Sequence, residues 1–563
     1  MAWTQAYAPL GSLASSALAA AVPLLVIFAL LAWGKLPGWT SALAALIAAL
    51  ALAIGVWRMP PVPAASSAVL GVAFAVLPIL WIVVSALWVH ELCVASGQFD
   101  LIRSTLASIT SDRRLQALFI AFAFGAFLEG AGGFGTPVAI TAAMLVGLGF
   151  ESRPAATICL LANSSPVAFA AAGVPVAAAA AVSGIDVILL GRIIGRMVTP
   201  LTLLVPLWLC VVLCGWRKSM EVLPAIIVAG VLFAGTQLLI STFNGPWTAG
   251  LLSAIVTLAG LWLFFRVWKP RRAWDFPDAA GKSRGSSATV RAGPAAAAGR
   301  APAGRAPAGS ASALSTLRAW APYLLMSLLV LLWAAGPVRH ALQRLDISFA
   351  WPLLDGRILR GPPVVPSVTP YRAVYSFAIF SAPGTAIFIA GLLSMLILPG
   401  MGPRKGFACL GRTIASLRGT IATVCFVLAT AYVMNFSGMN SSLGLALAAT
   451  GALFPLFSPL LGWLGVLLSG SDTSSNALFG SLQRTTAEKL GLSPGLAVAA
   501  NATGGVAGKM ISPQSISVAT VSARLPRQEG VILRSTIGHS VAMALIVSAI
   551  TLILAYLLPA LAR

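Results

Sequence analysis

Two acidic residues stand where an acid is costly. Glu129 lies in FLEGAGGFG and Asp472 in SGSDTSSN, each inside a long apolar stretch and among glycines and small polar residues. A carboxylate at membrane depth is expensive unless it is paired, hydrated or protonated. A carboxyl taken out of water favours its neutral form, so both are candidate proton carriers. The structural alternative is an acid bonded to backbone amides or to a neighbouring base. Lys509, in GGVAGKMISPQ, could hold a substrate carboxylate or pair with Asp472 when the site is empty; it could equally be a helix-end lysine that snorkels to the interface. Neutral donors and acceptors surround these charges: Asn163, Ser164 and Ser165 in one half, and Thr473, Ser474, Ser475, Asn476, Asn501, Thr503, Ser512 and Gln514 in the other. Singly, each suits the backbone of a broken helix. As a set they suit the lining of a polar cavity for a small anion.

The elements that must position them recur. FGAFLEGAGGFGTPVAI (124–140) is followed by NSSPVAFAAAGVPV (163–176), and LLSGSDTSSNALFG (467–480) by NATGGVAGKMISPQS (501–515). Each half places an acid, then an asparagine, then a proline, and Pro175 follows Asn163 by the same interval as Pro513 follows Asn501. Glycine also packs membrane helices closely, which accounts for the glycines but not for the paired acid, asparagine and proline. Interruptions in corresponding places of two halves point to a carrier's binding site, and helix N-termini exposed at such breaks favour anions. The expected arrangement is two inverted repeats with interrupted or re-entrant helices.

Composition sets the solvent. Of 563 residues, 59% are hydrophobic and 9% charged, against about 25% charged in soluble chains. Apolar runs long enough to cross a bilayer recur along the chain, without a barrel's alternation, so helices must span. The fold class is an all-α polytopic membrane protein with about 12–14 transmembrane helices. Residues 1–266 form an N-terminal transmembrane repeat and 318–563 a C-terminal one. Between them, 267–317 is a basic, Ala/Gly/Pro/Arg-rich stretch whose composition predicts a disordered, cytoplasmic linker. Residues 337–372 should then be external, yet they carry Arg339, Arg344, Arg357, Arg360 and Arg372, against the positive-inside rule. The first lysine is Lys35, so the first helix is expected to serve as insertion signal rather than a cleaved leader.

Several function classes fall away. The net charge of +22 fits basic loops facing anionic lipid better than nucleic acid. GAGGFG (130–135) matches a dinucleotide fingerprint but has no strand before it, and GGVAGK has Thr503 where a phosphate loop needs glycine and Met510 where it needs Ser or Thr. The six cysteines form no metal-ligand spacing and read as small buried residues; no cofactor, metal or disulfide is expected. His90 and Glu91 could relay protons but read better as a boundary pair facing headgroups, and His340 and His539 as background.

SGQFDLIRS (96–104), FGAFLEGAGGFGTPVAITAAMLVGLGF (124–150), LLGWLGVLLSGSDTSSNALFGSLQ (460–483) and AANATGGVAGKMISPQSI (499–516) resemble the bacterial L-lactate permease family. The resemblance covers essentially the whole chain apart from the linker, whose length and composition depart from the family. It implies uptake of lactate of either hand, and of glycolate, by proton symport across the bacterial inner membrane. It also implies two inverted repeats with re-entrant hairpins that move in an elevator-like way. A cation/proton antiporter using the same acids is the alternative within transport, and a membrane-embedded enzyme the alternative outside it.

Overall fold

Lipid offers the backbone no hydrogen bonds, so apolar segments of this length close their own as helices. The computed structural model describes residues 2–32, 36–107, 109–131, 136–276, 313–365, 367–525 and 528–562. Among the described residues, eleven helices are long and apolar enough to cross a membrane, or twelve if the bent pair Ser152–Ala162 and Val167–Ser183 is one span. The chain is an all-α polytopic membrane protein. Its strands are short and unanticipated by the sequence pattern: Trp3–Thr4 runs parallel to Ile358–Leu359, and Ile347–Ala350 pairs antiparallel with Val374–Phe377.

These strands mark one end of the molecule, here the sheet face. Residues 268–276 mark the other, the linker face. The low-complexity part of the expected linker, 277–312, lies outside the described residues, but its first residues are docked. Arg113 Nε donates to Asp275 Oδ1 at 3.0 Å, the Trp274 amide donates to Asp112 Oδ2 at 3.0 Å, and Phe276 packs edge-on to Phe150. Arg114, fully buried, holds Asp112 through Nε and Nη2 at 3.1 and 2.8 Å, and it reaches Glu221, Lys218 O and Arg272 O. A buried guanidinium is tolerated because its fork is answered in full. The arginine-rich 336–377 segment leaves the far end of Ala313–Ala334 and sits on the sheet face. Its strands Ile347–Ala350, Ile358–Arg360, Thr369–Pro370 and Val374–Phe377 build the two small sheets together with Trp3–Thr4, so Arg357, Arg360 and Arg372 sit on sheet-forming chain.

The strap 268–276 should be acid-labile. Hydrogen bonding to Arg114 holds the Glu221 carboxyl below its usual value, and hydrogen bonding to Arg113 does the same for Asp275. A depressed carboxyl contributes stability above its unfolded pKa and loses it as pH falls through the folded value. Both groups are about half exposed, so solvent weakens the pairs and the effect is modest. Hydrogen exchange at the Trp274 amide should therefore stay protected from about pH 8 to 5 and rise below about pH 4. A loss of protection between pH 8 and 6 would contradict these pairs as its cause.

The core of the molecule is built from two matching sets. In hairpin 1, Arg113–Ala131 and Thr136–Gly147 lie side by side, closed at the root by Arg113 Nη1 to Leu148 O. In hairpin 2, Phe454–Ser469 and Asp472–Lys489 are joined by rungs: Gln483 Nε2 to Ser458 O at 2.9 Å and Ser475 Oγ to Gly462 O at 3.2 Å. Gly470 (φ 70°) makes the reversal, a conformation that side chains resist. Each hairpin leads into a broken helix: Ser152–Ala162 with Ala170–Ser183, then Pro494–Lys509 with Pro513–Ser522. Each broken helix leads into a long one, Val187–Met220 or Glu529–Tyr556.

The packing is reciprocal. Ala170–Ser183 packs on Asp472–Lys489, and Pro513–Ser522 on Thr136–Gly147; Val187–Met220 packs on Pro494–Lys509, and Glu529–Tyr556 on Ser152–Ala162. Such exchange is what a two-fold relation between repeats produces. Hairpin 1 is rooted at the linker face through Arg113 and Phe150, and hairpin 2 at the sheet face, where Thr485, Glu488 and Lys489 border Pro362–Val365. The two hairpins enter from opposite faces.

These repeat elements, with Leu223–Phe243 and Ala249–Val267, form one packing group. Close crossings hold it: a Cβ on Gly462 would collide with the Asn501 carbonyl, and one on Gly504 with the Pro459 carbonyl. Leu13–Ala32, Gly38–Gly55, Pro61–Ala95, Ala313–Ala334, Pro383–Ile397 and Pro403–Ser437 pack mainly on one another as a second group.

Candidate functional site

The end of hairpin 1's first arm, the reversal of hairpin 2 and the helix breaks face one another in a cavity of about 500 Å³. Glu129 comes from the end of the first arm of hairpin 1, and Ser469 to Ser474 from the reversal of hairpin 2. Val167, Ala170, Ala171, Val174 and Pro175 come from broken helix 1, and Lys509, Pro513 and Gln514 from broken helix 2. The remaining wall belongs to the other packing group: Pro37, Gly38 and Trp39, with Ser416, Gly419, Thr420, Thr423 and Val424.

Local sequence explains the edges. Ser471 caps Asp472–Lys489 by accepting from the Ser474 amide, and Ser512 caps Pro513–Ser522 by accepting from the Ser515 amide. Two helix N-termini, with their unpaired amides and positive dipole ends, therefore border the space. Ala171, Ala172 and Gly173 adopt left-handed conformations just before Pro175, which turns broken helix 1 at the cavity wall. The matching proline, Pro513, starts the second half of broken helix 2.

The charged trio meets here. Glu129 is 0% and Asp472 3% exposed, and neither carboxylate has a hydrogen-bond partner among the described residues. Lys509 acts electrostatically on both carboxylates, yet no ion pair within 4.0 Å joins it to either among the described residues. Asp472 lies against Gly505, where a Cβ would occupy the carboxylate's place. The two acids are not equivalent in detail, since Glu129 precedes the reversal of its hairpin and Asp472 follows that of its own.

The neutral candidates divide. Ser474 and Gln514 line the cavity, as does Thr473. Ser475, Asn476 and Asn501 lie behind it in a buried network: Asn476 Nδ2 donates to Pro175 O at 3.1 Å, Asn501 Nδ2 to Asn476 Oδ1 at 2.9 Å, and Gln483 Nε2 to Asn501 Oδ1 at 3.2 Å. This network ties hairpin 2 to both broken helices. Thr503 donates back to its own helix at Ala499 O, and Ser164 to Leu161 O. Asn163 lies beside Glu129, and its Oδ1, like the Ser165 hydroxyl, is buried without a partner among the described residues.

Sequence reasoning missed Gln483 and Ser458, whose polar pair sits inside an apolar hairpin, and it missed the wall of Trp39, Ser416, Thr420 and Thr423. The first had a signal, since Gln483 is a polar amide in the stretch that follows the apolar ALFG (477–480). The second had none, because Gly38–Gly55 and Pro403–Ser437 read as ordinary spans. His90 also differs from expectation. It is buried, with Nδ1 2.9 Å from Tyr323 Oη, while Glu91 is exposed.

The exposed part of the cavity wall lies toward the linker face. Ser66, at the start of Pro61–Ala95, is bonded to Pro352 O and Trp351 on the sheet face, so Gly38–Gly55 ends there and begins at the other side. Its first residues, including Trp39 at 42% exposure, form the rim with exposed Ser416.

The L-lactate permease family model matches residues 16–558. The chain belongs to the L-lactate permease family. It is 45% identical over 560 residues to the glycolate permease GlcA of Escherichia coli K12, covering 98% of each chain. It is 44% identical to the L-lactate permease of Bacillus subtilis 168, covering 98% of each chain, and 44% identical to that of Escherichia coli K12, covering 99% of this chain and 98% of the relative. Likeness to solved structures is weaker: the YdaH transporter of Alcanivorax borkumensis gives a TM-score of 0.44 at 16% identity, covering 87% of each chain, a level at which no structural correspondence is drawn. Family membership makes the chain a permease rather than an enzyme, a multi-pass protein of the bacterial inner membrane.

Proposed function

We propose that this permease takes up lactate of either hand, and glycolate, in symport with protons, and that the cavity between the hairpins is the binding site. The observation that carries the reading is the convergence of Lys509, Glu129 and Asp472, from both repeats, on one space of about 500 Å³. A space of that size takes a small hydroxy acid together with water. The names of the family relatives support the substrate class.

Charge bookkeeping gives the mechanism. In the empty site one carboxylate balances the Lys509 ammonium and the other acid is neutral. Arrival of a substrate carboxylate displaces the side-chain carboxylate as counter-ion, and that group takes up a proton, so the loaded site again has no net charge. One proton then accompanies each monocarboxylate, and moving a neutral site through the membrane avoids the cost of a buried charge. The substrate carboxylate meets Lys509 and the N-termini at Ser471 and Ser512; its hydroxyl meets Ser474 or Gln514. Asn163, Ser164, Ser165, Ser475, Asn476, Asn501 and Thr503 hold the breaks that shape this space. The cationic Lys509 weighs against a cation antiporter, since it repels the ion such a carrier must bind. By the positive-inside rule the linker face, with the basic residues Arg113, Lys218 and Arg272, is cytoplasmic and the sheet face external.

The test is uptake of labelled lactate and glycolate into proteoliposomes with and without a pH gradient, interior alkaline. Saturable uptake should follow the gradient and each substrate should compete with the other. Uptake indifferent to the gradient would remove the proton from the mechanism.

A further inference from the structure

A helix leaves its last four carbonyls without an intrahelical donor. In Ala170–Ser183 these belong to Ala180, Ala181, Val182 and Ser183, and each is answered. The amide of Gly184 (φ 67°) takes Ala180 O at 2.8 Å. Tyr432 Oη donates to Ala181 O at 3.0 Å, Asn435 Nδ2 to Val182 O at 3.4 Å, and Arg484 Nη1 to Ser183 O at 2.5 Å.

The donors have different origins. Arg484 is on hairpin 2, in the same packing group as the helix it caps. Tyr432 and Asn435 are on Pro403–Ser437, in the other group. Both are held firmly there. The Tyr432 ring stacks on Phe74 at 5.3 Å, and the Asn435 backbone carbonyl accepts from Gln5 Nε2 at 2.9 Å, from the N-terminal segment that pairs with the sheet. This capped end lies at the sheet face, where Tyr371 packs on Phe436 at 4.5 Å, opposite the mouth of the cavity.

We propose that Tyr432 and Asn435 are positioning residues of the transport cycle: a helix cap made across the two packing groups that holds the sheet-face entrance shut and must be released for the cavity to open to that side. The proposal rests on the carrier reading above, because a carrier has to expose its site to both faces in turn. Relative movement of the two groups at this end pulls the two donors away from Ala181 and Val182. The Arg484 cap travels with its helix and is kept. Water on the opened side then satisfies the two freed carbonyls, so the closed state is favoured only by the net worth of the bonds.

The experiment reads access to the cavity from the sheet face. Thr473→Cys places a thiol on the cavity wall. Its labelling by a membrane-impermeant maleimide is followed in right-side-out membrane vesicles, with the parent chain as the native-cysteine background. Adding Tyr432→Phe, which keeps the ring and removes the donor, should speed labelling about fivefold, the factor one net hydrogen bond supplies. Asn435→Ser is an independent second variant with the same expected rise. Arg484→Gln removes a cap of the same kind within one group and should leave the rate within about twofold of the parent. Unchanged labelling in both Tyr432→Phe and Asn435→Ser overturns the proposal, as does an equal rise in Arg484→Gln, which would signify general loosening. If the reconstituted protein moves neither lactate nor glycolate while Tyr432→Phe still speeds labelling, the substrate reading fails and the cap stands.

Discussion

Glu129→Gln should abolish pH-driven accumulation of lactate while leaving exchange intact. With one proton per lactate, the wild-type carrier accumulates substrate about tenfold for each unit of pH gradient. The variant should level off at equal concentrations inside and outside. Glutamine has the shape and hydrogen-bonding capacity of a neutral carboxyl, so the site keeps its form but cannot release a proton. The location explains the size of the effect. Glu129 is fully buried at the end of its hairpin arm, both its oxygens lack donors among the described residues, and Lys509 from the other repeat acts on it electrostatically. Counterflow of labelled lactate at equal pH on both sides should remain within about threefold of wild type, because no net proton movement is needed there. Normal accumulation by Glu129→Gln would pass the proton to Asp472, and Asp472→Asn in the same assay would then show the loss.

Lys509→Met should weaken substrate binding by about 10- to 100-fold, read as a rise in the KM of uptake, with Lys509→Arg in between. A hydrogen bond to a charged group contributes about 1.5–3 kcal/mol, and each 1.36 kcal/mol is a factor of ten. Among the described residues lining the cavity, Lys509 is the basic one, facing two acids. Methionine keeps the length and apolar body of the stem and deletes the charge. It leaves the substrate carboxylate with helix N-termini alone, whose contribution is smaller. It also strips the side-chain carboxylates of their counter-ion, so the pH dependence of KM should change along with its value. A KM within twofold of wild type would mean that the ammonium serves the empty protein's structure and not the substrate.

The two variants probe different consequences of one arrangement. Glu129 and Lys509 lie far apart in the chain, and neither repeat alone carries an acid at each hairpin together with a base. The site therefore exists only where the repeats meet, at the place where Ala170–Ser183 packs on Asp472–Lys489. The Asn476 bond to the Pro175 carbonyl is a direct tie across that junction. The same junction explains why so many candidate polar residues turn inward. Ser475, Asn476 and Asn501 satisfy one another and the broken backbone in lipid, where an unmet donor or acceptor is costly. Their removal should damage the shape of the cavity before it damages any direct contact with substrate.

The chain's own pattern was enough for the solvent, the helical class, the two interruptions and their acids. Hydrophobicity and glycine or proline placement act over a few residues, so they can be read in order along the chain. The matched spacing of Asn163 to Pro175 and Asn501 to Pro513 falls on different local places: Pro513 opens the second half of its broken helix while Pro175 follows the left-handed turn inside Ala170–Ser183, and Asn163 ends its helix while Asn501 lies inside its own. Other facts depended on which segments meet. That the segments bearing Glu129 and Asp472 belong to hairpins rooted at opposite faces is carried by Arg113 on Asp275 and by Lys489 beside Pro362. That Ser474 and Gln514 line the space while Thr503 and Ser164 bond their own helices depends on side-chain direction around each helix, which composition does not encode. The wall of Trp39, Ser416, Thr420 and Thr423 and the cap by Tyr432 and Asn435 come from two helices, Gly38–Gly55 and Pro403–Ser437, with no local mark of function. Spacing determines what a segment can form by itself; only three-dimensional packing decides which distant carbonyl or carboxylate it answers, because those partners are hundreds of residues away and their proximity is fixed by the shared burial of whole helices.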